Sequence, residues 1–159
     1  MQFFNSWSTS NHLILLHFST PVIKVFEEHV QRAGSDLEAG GILLGTVHGS
    51  NIIVTEATAP TARDRRFKFS FERLPIGHRS IAQKLWRKSD SIIRYIGEWH
   101  THPEDYPCPS ELDCDEWRKL SVQRKDKRPL LAVIVGRKNL HVELVSNSTE
   151  SQVLMSIEQ

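Results

Sequence analysis

The stretch "SIIRYIGEWHTHPEDYPCPSELD", Ser91 to Asp113, predicts a strand, a proline-rich loop and the start of a helix. The strand covers "SIIRYIGEWH" and cannot continue past Pro103 into a central ladder, because proline lacks the N–H group that the ladder needs. Ser110 is suited to cap the helix "ELDCDEWRKLSVQRK". The loop between strand and helix therefore lies at the rim of a sheet, where binding and catalytic side chains are common.

On both sides of this unit, the patterning predicts the element order β-α-β-β-β-α-β-α-β-β. The other predicted elements are strand His12–Phe18, helix Pro21–Ala33, a hairpin turning near Gly49–Asn51, strand Arg66–Glu72, a helix from Pro75, and strands over "PLLAVIVG" and "NLHVELV". Strands and helices are mixed, and three strands are consecutive. We therefore expect an α+β (mixed α/β) fold with a central, largely antiparallel sheet flanked by helices.

The chain carries no internal repeat and no low-complexity linker. We expect a single domain over residues 1–159, with its core at about 11–145. Residues 1–10 are expected to be a loose lead-in. The segment 146–159 is polar and weakly patterned, and we expect a mobile tail there.

The composition is that of an ordinary soluble protein, with 39% apolar and 25% charged residues and a formal charge of +1. This balance gives no indication of nucleic-acid binding, and the basic runs "RDRRFK" and "RKDKR" are short and each interrupted by Asp. There is no apolar run near the roughly 20 residues that span a membrane, and we predict no signal peptide. Two cysteines make no disulfide framework, so we expect a cytoplasmic location.

His100 and His102 are the first candidates for a metal site. Residues i and i+2 of an extended segment point to the same face, so the two imidazoles can share one ion. If Ser110 caps the third helix, Asp113 lies in its first turn, where the helix dipole favours a carboxylate. Two imidazoles and one carboxylate leave one position of a tetrahedral zinc ion open, which is the pattern of catalytic sites.

A hydrolytic zinc site also benefits from a general base and an oxyanion donor. Glu38 is the best candidate for the base, because it precedes "GGILLG", where Gly40 and Gly41 allow a close backbone approach. Ser110 is the candidate donor to the carbonyl oxygen in the tetrahedral state.

A structural zinc site built from Cys108, Cys114 and the histidines is the alternative. Thiolates are good zinc ligands. However, Cys114 directly follows Asp113, and adjacent helical residues do not face the same way. Ordinary, partly buried thiols are the simpler interpretation of both cysteines.

Together these residues resemble the signature of the JAMM (MPN+) metalloproteases. In that family a Glu precedes H-[ST]-H, which is followed by seven residues, Ser, two residues and Asp. Here Glu38 precedes "HTHP", and the spacing from His102 through Ser110 to Asp113 fits without a gap. The element order over about 11–145 is also similar to the fold of that family.

The resemblance implies a metallopeptidase with one Zn²⁺ per chain that cleaves an isopeptide or peptide bond after the C-terminus of a ubiquitin-like protein. By motif match, His100, His102 and Asp113 would be the metal ligands, Glu38 the general base and Ser110 the transition-state donor. A non-catalytic MPN-type interaction module is the alternative of a different class. Members of that metal-free subfamily lack the ligands that this chain has.

A narrower resemblance concerns the sequence around the motif. "GGILLG", "EATAPTARDRRFKFSFER" and "YIGEWHTHPEDYPCPSELD" with Trp117 are similar to small bacterial JAMM proteins, in particular the deconjugating peptidases of type II CBASS anti-phage operons. There, a ligase joins the C-terminus of a cGAS-like nucleotidyltransferase to target proteins, and the peptidase releases it. The implied partner is such a conjugate with an extended C-terminal tail; the alternative is another bacterial ubiquitin-like or sulfur-carrier protein.

Overall fold

The computed structural model describes residues 3–147 and 150–157. The helices are α1 (Thr20–Glu28), α2 (Pro75–Lys88) and α3 (Glu111–Gln123). The strands are β1 (Ser6–Ser8), β2 (Leu15–Phe18), β3 (Gly40–His48), β4 (Asn51–Ala57), β5 (Arg65–Arg66), β6 (Phe71–Glu72), β7 (Arg94–Thr101), β8 (Leu130–Val135), β9 (Leu140–Val145), β10 (Ser151–Val153) and β11 (Met155–Ser156).

All strands except β5 and β6 join one sheet in the order β10-β9-β8-β7-β3-β4-β2-β1-β11. The pairs β2–β4 and β7–β8 are parallel, and the other neighbours in this sheet are antiparallel. The expected α+β fold with a largely antiparallel sheet is confirmed.

The sheet is covered on both faces, and β8 shows this most directly because its six residues are all buried. Leu131 and Val133 belong to the cluster that contains Phe26 of α1. The alternate residues Leu130 and Ala132 belong to the cluster of Trp117 on α3. Since successive side chains of a strand point to opposite faces, α1 and α3 lie on opposite sides of the sheet.

The prediction of one strand over Arg66–Glu72 was wrong. The segment reverses direction between β5 and β6, and the Phe67 N–H donates to the Ser70 carbonyl at 2.9 Å. Alternating aromatic and polar residues imitate a half-buried strand, yet Phe69 at the turn is 73% exposed.

The first helix is shorter than the predicted Pro21–Ala33. It ends at Glu28. Beyond it, the Asp36 carboxylate accepts the backbone N–H groups of Arg32 and Ala33, at 2.9 and 2.8 Å. Such local side-chain bonds offer the backbone an alternative to the helix.

The predicted core limits of about 11–145 were too narrow. β1 pairs with β2 and β11, and β10 pairs with β9. Trp7 and Leu154 are each only 3% exposed. Strands of two or three residues are too short to show a period in the sequence, which explains why the lead-in and the tail looked unpatterned. That residues 1–159 form a single domain stays a prediction.

The pairing of β3 with β7 brings distant parts of the chain to one end of the sheet. Gly40 lies opposite His100 in this register. A Cβ atom on Gly40 would lie 2.6 Å from the Phe71 ring and from the Trp99 carbonyl oxygen, so a side chain does not fit. The expected close approach at this glycine is confirmed, and it places Glu38 beside the end of β7.

Candidate metal centre

The end of one strand and the start of one helix carry the three central side chains. His100 is the penultimate residue of β7, His102 follows its end, and Asp113 lies in the first turn of α3. The two Nε2 atoms are 3.1 Å apart. Asp113 Oδ1 lies 3.2 Å from His100 Nε2, and Oδ2 lies 3.3 Å from His102 Nε2. The structure thus brings the three proposed ligands together.

A capping box fixes the direction of Asp113. The Asp113 N–H donates to Ser110 Oγ at 3.1 Å, and the Ser110 N–H donates to Asp113 Oδ2 at 2.7 Å. The expected cap at Ser110 is confirmed. Because Ser110 Oγ acts as acceptor in the cap, its own proton stays available for another acceptor.

The donor set fits a zinc ion. Bonds of about 2.0–2.1 Å in a tetrahedral site place neighbouring ligand atoms roughly 3.3 Å apart. The three separations of 3.1, 3.2 and 3.3 Å agree with that spacing. The histidine and carboxylate atoms of His100, His102 and Asp113 form a group that could hold a metal.

The electrostatics of the group also favour a cation. Burial alone would raise the pKa of Asp113, but hydrogen bonds from His100 and His102 and the positive charge of His100 hold it far below its ordinary value, so Asp113 is ionised. Burial would lower the pKa of His102, but the bond to Asp113 and the charges of Asp113, Glu38 and Glu104 raise it. The surroundings therefore stabilise positive charge at this point.

Glu38 lies in the wall of the same cleft and is 4% exposed. Burial raises the pKa of Glu38 to about 7; the charge of His102 opposes the rise, and those of Asp113 and Glu104 add to it. A carboxyl group with a pKa near neutrality can both accept and return a proton at physiological pH. Both Ser110 and Glu38 thus line the cleft that contains the three central side chains.

The cleft is open and has a volume of about 840 Å³. Apolar side chains line two of its sides, from β5–β6 and from α3. The apolar part of the lining includes Phe67, Phe71, Leu112 and Trp117. Among the charged residues of the lining, acidic ones outnumber basic ones; they include Glu72, Glu104, Glu116 and Arg73.

Sequence reasoning did not identify two buried polar residues behind the site, Thr101 and Gln31. They are 0% and 1% exposed and are hydrogen-bonded to each other. The sequence does carry a signal for Thr101: it stands between the two histidines in an extended segment, so its side chain points to the opposite face. Gln31 lies far upstream, and its spacing gives no comparable signal.

The alternative zinc site with two cysteines does not fit the geometry. Cys108 is exposed and Cys114 half-buried, and both thiols are free. Neither belongs to the group formed by His100, His102 and Asp113. The metal-free scaffold is also disfavoured, since the ligand set is complete.

Residues 19–150 match the family model described as prokaryotic homologues of the JAB domain. The chain is 52% identical over 158 residues to a "CD-NTase/cGAS isopeptidase" of Pseudomonas aeruginosa, covering 99% of this chain and 100% of that protein. A protein of the same description from Escherichia coli is 33% identical, covering 83% and 81% of the two chains. The solution structure of protein DSY2949 from Desulfitobacterium hafniense shares the fold, with a TM-score of 0.61, 17% identity and 92% of each chain covered. No helix within residues 3–147 and 150–157 has the length and apolar character to cross a bilayer.

Proposed function

This chain belongs to the family of prokaryotic homologues of the JAB domain, and from that premise we propose that it is a zinc-dependent isopeptidase that releases a cGAS-like nucleotidyltransferase from its conjugates. The chain is a metallopeptidase; zinc as its metal, with one ion per chain, is part of the proposal. The observation that carries it is the cleft in which His100, His102, Asp113, Glu38 and Ser110 meet.

We assign the metal-ligand role to His100, His102 and Asp113. When bound there, zinc supplies Lewis acidity and activates a water molecule for attack on a carbonyl carbon. Glu38 accepts the proton of the attacking water and delivers it to the leaving amine. The Ser110 hydroxyl donates to the carbonyl oxygen as negative charge develops on it. Ser110 can do so because its cap uses an oxygen lone pair and not the hydroxyl proton.

The substrate is a protein conjugate with an extended C-terminal tail. Similarity to the Pseudomonas isopeptidase over the whole length of both chains supports a nucleotidyltransferase of the CD-NTase/cGAS kind as the released protein. The open cleft of about 840 Å³ accommodates a peptide on both sides of the bond to be cleaved. In this proposal the chain acts in the cytoplasm, in bacterial antiviral defence (CBASS).

Incubation with a conjugate of the nucleotidyltransferase tests the proposed function. We expect the free nucleotidyltransferase to appear, the reaction to stop with a chelator, and Zn²⁺ to restore it. Mass spectrometry of the products should place the cleavage after the last residue of the nucleotidyltransferase. Cleavage that persists in chelator would refute the metal assignment. A preference for conjugates of another ubiquitin-like or sulfur-carrier protein would refute the substrate assignment alone.

We expect Ser110→Ala to reduce kcat by roughly 100-fold or more, as the loss of one oxyanion donor does elsewhere, with little change in KM. The lost cap costs about 1 kcal/mol of helix stability, so the unfolding midpoint must be measured alongside. Ser110→Thr keeps a hydroxyl and a cap and serves as control. A raised KM with unchanged kcat would reduce Ser110 to a binding contact or a cap.

A further inference from the structure

We propose that Thr101 and Gln31 are positioning residues that set the placement of the general base relative to the metal ligands. The inference rests on the proposed function, because it concerns how Glu38 is held. Neither side chain faces the cleft. They act from behind it, through hydrogen bonds to the backbone on both sides of the site.

Thr101 connects the segment that carries His100 and His102 to the segment that carries Glu38. The side chains of His100 and His102 meet in the cleft, and Thr101 between them points away from it. The Ala39 N–H donates to Thr101 Oγ1 at 3.0 Å, and the Thr101 N–H donates to the Ala39 carbonyl at 2.8 Å. Ala39 directly follows Glu38, so these two bonds fix the base next to the ligands.

Gln31 completes the connection on the far side of Thr101. The Thr101 hydroxyl donates to Gln31 Oε1 at 2.8 Å. Gln31 Nε2 donates to the carbonyls of Asp36 and Lys68, each at 3.2 Å. The whole amide is thus used, with one bond accepted and two donated. A buried amide with its hydrogen bonds satisfied holds its partners in one arrangement, because any shift leaves a polar group unpaired.

The third support of Glu38 comes from the β5–β6 hairpin, which Gln31 also holds through Lys68. The Glu38 N–H donates to the Phe67 carbonyl at 2.8 Å. Arg66 Nε donates to the Glu38 carbonyl at 2.8 Å. The backbone of Glu38 is therefore held on one side by the hairpin and on the other, through Ala39, by Thr101.

This arrangement has a kinetic consequence. A carboxylate displaced by about 1 Å from its productive position can cost a reaction roughly 100-fold. Because the Thr101 side chain points away from the cleft, the imidazoles of His100 and His102 keep their contacts with the Asp113 carboxylate. Loss of the Thr101 hydroxyl should therefore reduce the catalytic step without removing the metal.

Thr101→Val tests the inference, since it removes the hydroxyl and keeps the shape. We expect kcat for conjugate cleavage to fall about 10- to 100-fold, with KM and zinc content close to wild type. Thr101→Ser, which restores the hydroxyl, should recover most of kcat. Thr55→Val is the matched control, because the Thr55 hydroxyl donates to the Leu44 carbonyl in the same sheet, away from the cleft.

A second variant covers the case in which Thr101→Val does not fold. Arg66 is exposed, so Arg66→Ala should fold and yet loosen the Glu38 backbone. We expect it to lower kcat about 10-fold, by partial loss of the same placement. Arg65→Ala is the neighbouring control; Arg65 forms an exposed ion pair with Glu72 at 3.4 Å.

The outcomes separate this inference from the proposed function. A folded, zinc-loaded Thr101→Val protein with wild-type kcat overturns it, as does a Thr101→Ser protein that is as slow as Thr101→Val. If Thr101→Val does not fold, wild-type kcat in Arg66→Ala overturns it. If the wild-type chain itself cleaves no conjugate, the proposed function fails, whatever the zinc content of the variants.

Discussion

Replacing Glu38 by glutamine should leave the metal in place and reduce cleavage by roughly 100- to 10,000-fold, the usual contribution of a general base. Glutamine keeps the size of the side chain but cannot take up the proton of the attacking water. Glu38 is not one of the three side chains that meet at the metal position. Zinc content per chain should therefore equal that of the wild type, while single-turnover cleavage is nearly abolished.

The same substitution should stabilise the metal-free protein at neutral and alkaline pH. The pKa of Glu38 is raised by burial from 4.5 to about 7. A raised folded-state pKa means that the contribution of this group to stability is fully present below about pH 4.5 and is lost as the pH rises through 7. The free energy of unfolding of Glu38→Gln should exceed that of the wild type at pH 8, and the difference should shrink toward pH 4.

Glu56→Gln is the matched control for both measurements, because Glu56 is exposed on β4 and outside the cleft. It should cleave and unfold like the wild type. Substantial turnover by Glu38→Gln would remove Glu38 from the base role. Loss of zinc from Glu38→Gln would instead indicate that Glu38 contributes to metal binding.

The sequence predicts most of the site because its geometry is local. The i, i+2 spacing of His100 and His102 places both on one face of a strand. The position of Asp113 in the first turn of the helix follows from the predicted cap at Ser110. The structure confirms this cap, with both hydrogen bonds of the capping box present. These three residues and Ser110 lie within one strand–loop–helix unit, so no long-range packing is needed to relate them.

Glu38 is different, because its place depends on sheet register. Only the glycines after it, and the resemblance to a known motif, pointed to it. The structure gives the physical reason: β3 pairs with β7 so that Gly40 lies opposite His100. Pairing of strands separated by another hairpin and a helix cannot be read from periodicity, since period 2 identifies a strand and not its neighbour.

The features that sequence reasoning missed are also long-range. Ala39 and Thr101 are 62 residues apart, and Thr101 and Gln31 are 70 apart. The β5–β6 hairpin and the terminal strands are too short for any period to be visible. Each is defined by its hydrogen-bond partners, which only the folded chain brings into contact.

Asp113→Asn should remove the metal and with it the activity. An amide is a weaker zinc ligand than a carboxylate and carries no charge to offset that of the ion. Loss of an outer partner of a ligand already costs roughly 10- to 100-fold in metal affinity, so loss of a ligand should cost more. We expect zinc content after gel filtration to fall from about one per chain, the stoichiometry of a single site, to a small fraction, and cleavage to become undetectable.

The choice of asparagine separates the metal from the helix cap. Its side-chain oxygen can still accept the Ser110 N–H, as Asp113 Oδ2 does at 2.7 Å, so α3 should keep its start. Asp115→Asn is the control on the same helix; Asp115 is exposed and pairs with Arg118 at 3.1 Å, and its loss should leave zinc and cleavage unchanged. Circular dichroism should show equal helix content in both variants. A zinc-loaded, active Asp113→Asn protein would contradict the ligand assignment, because two imidazoles alone would then suffice to hold the ion.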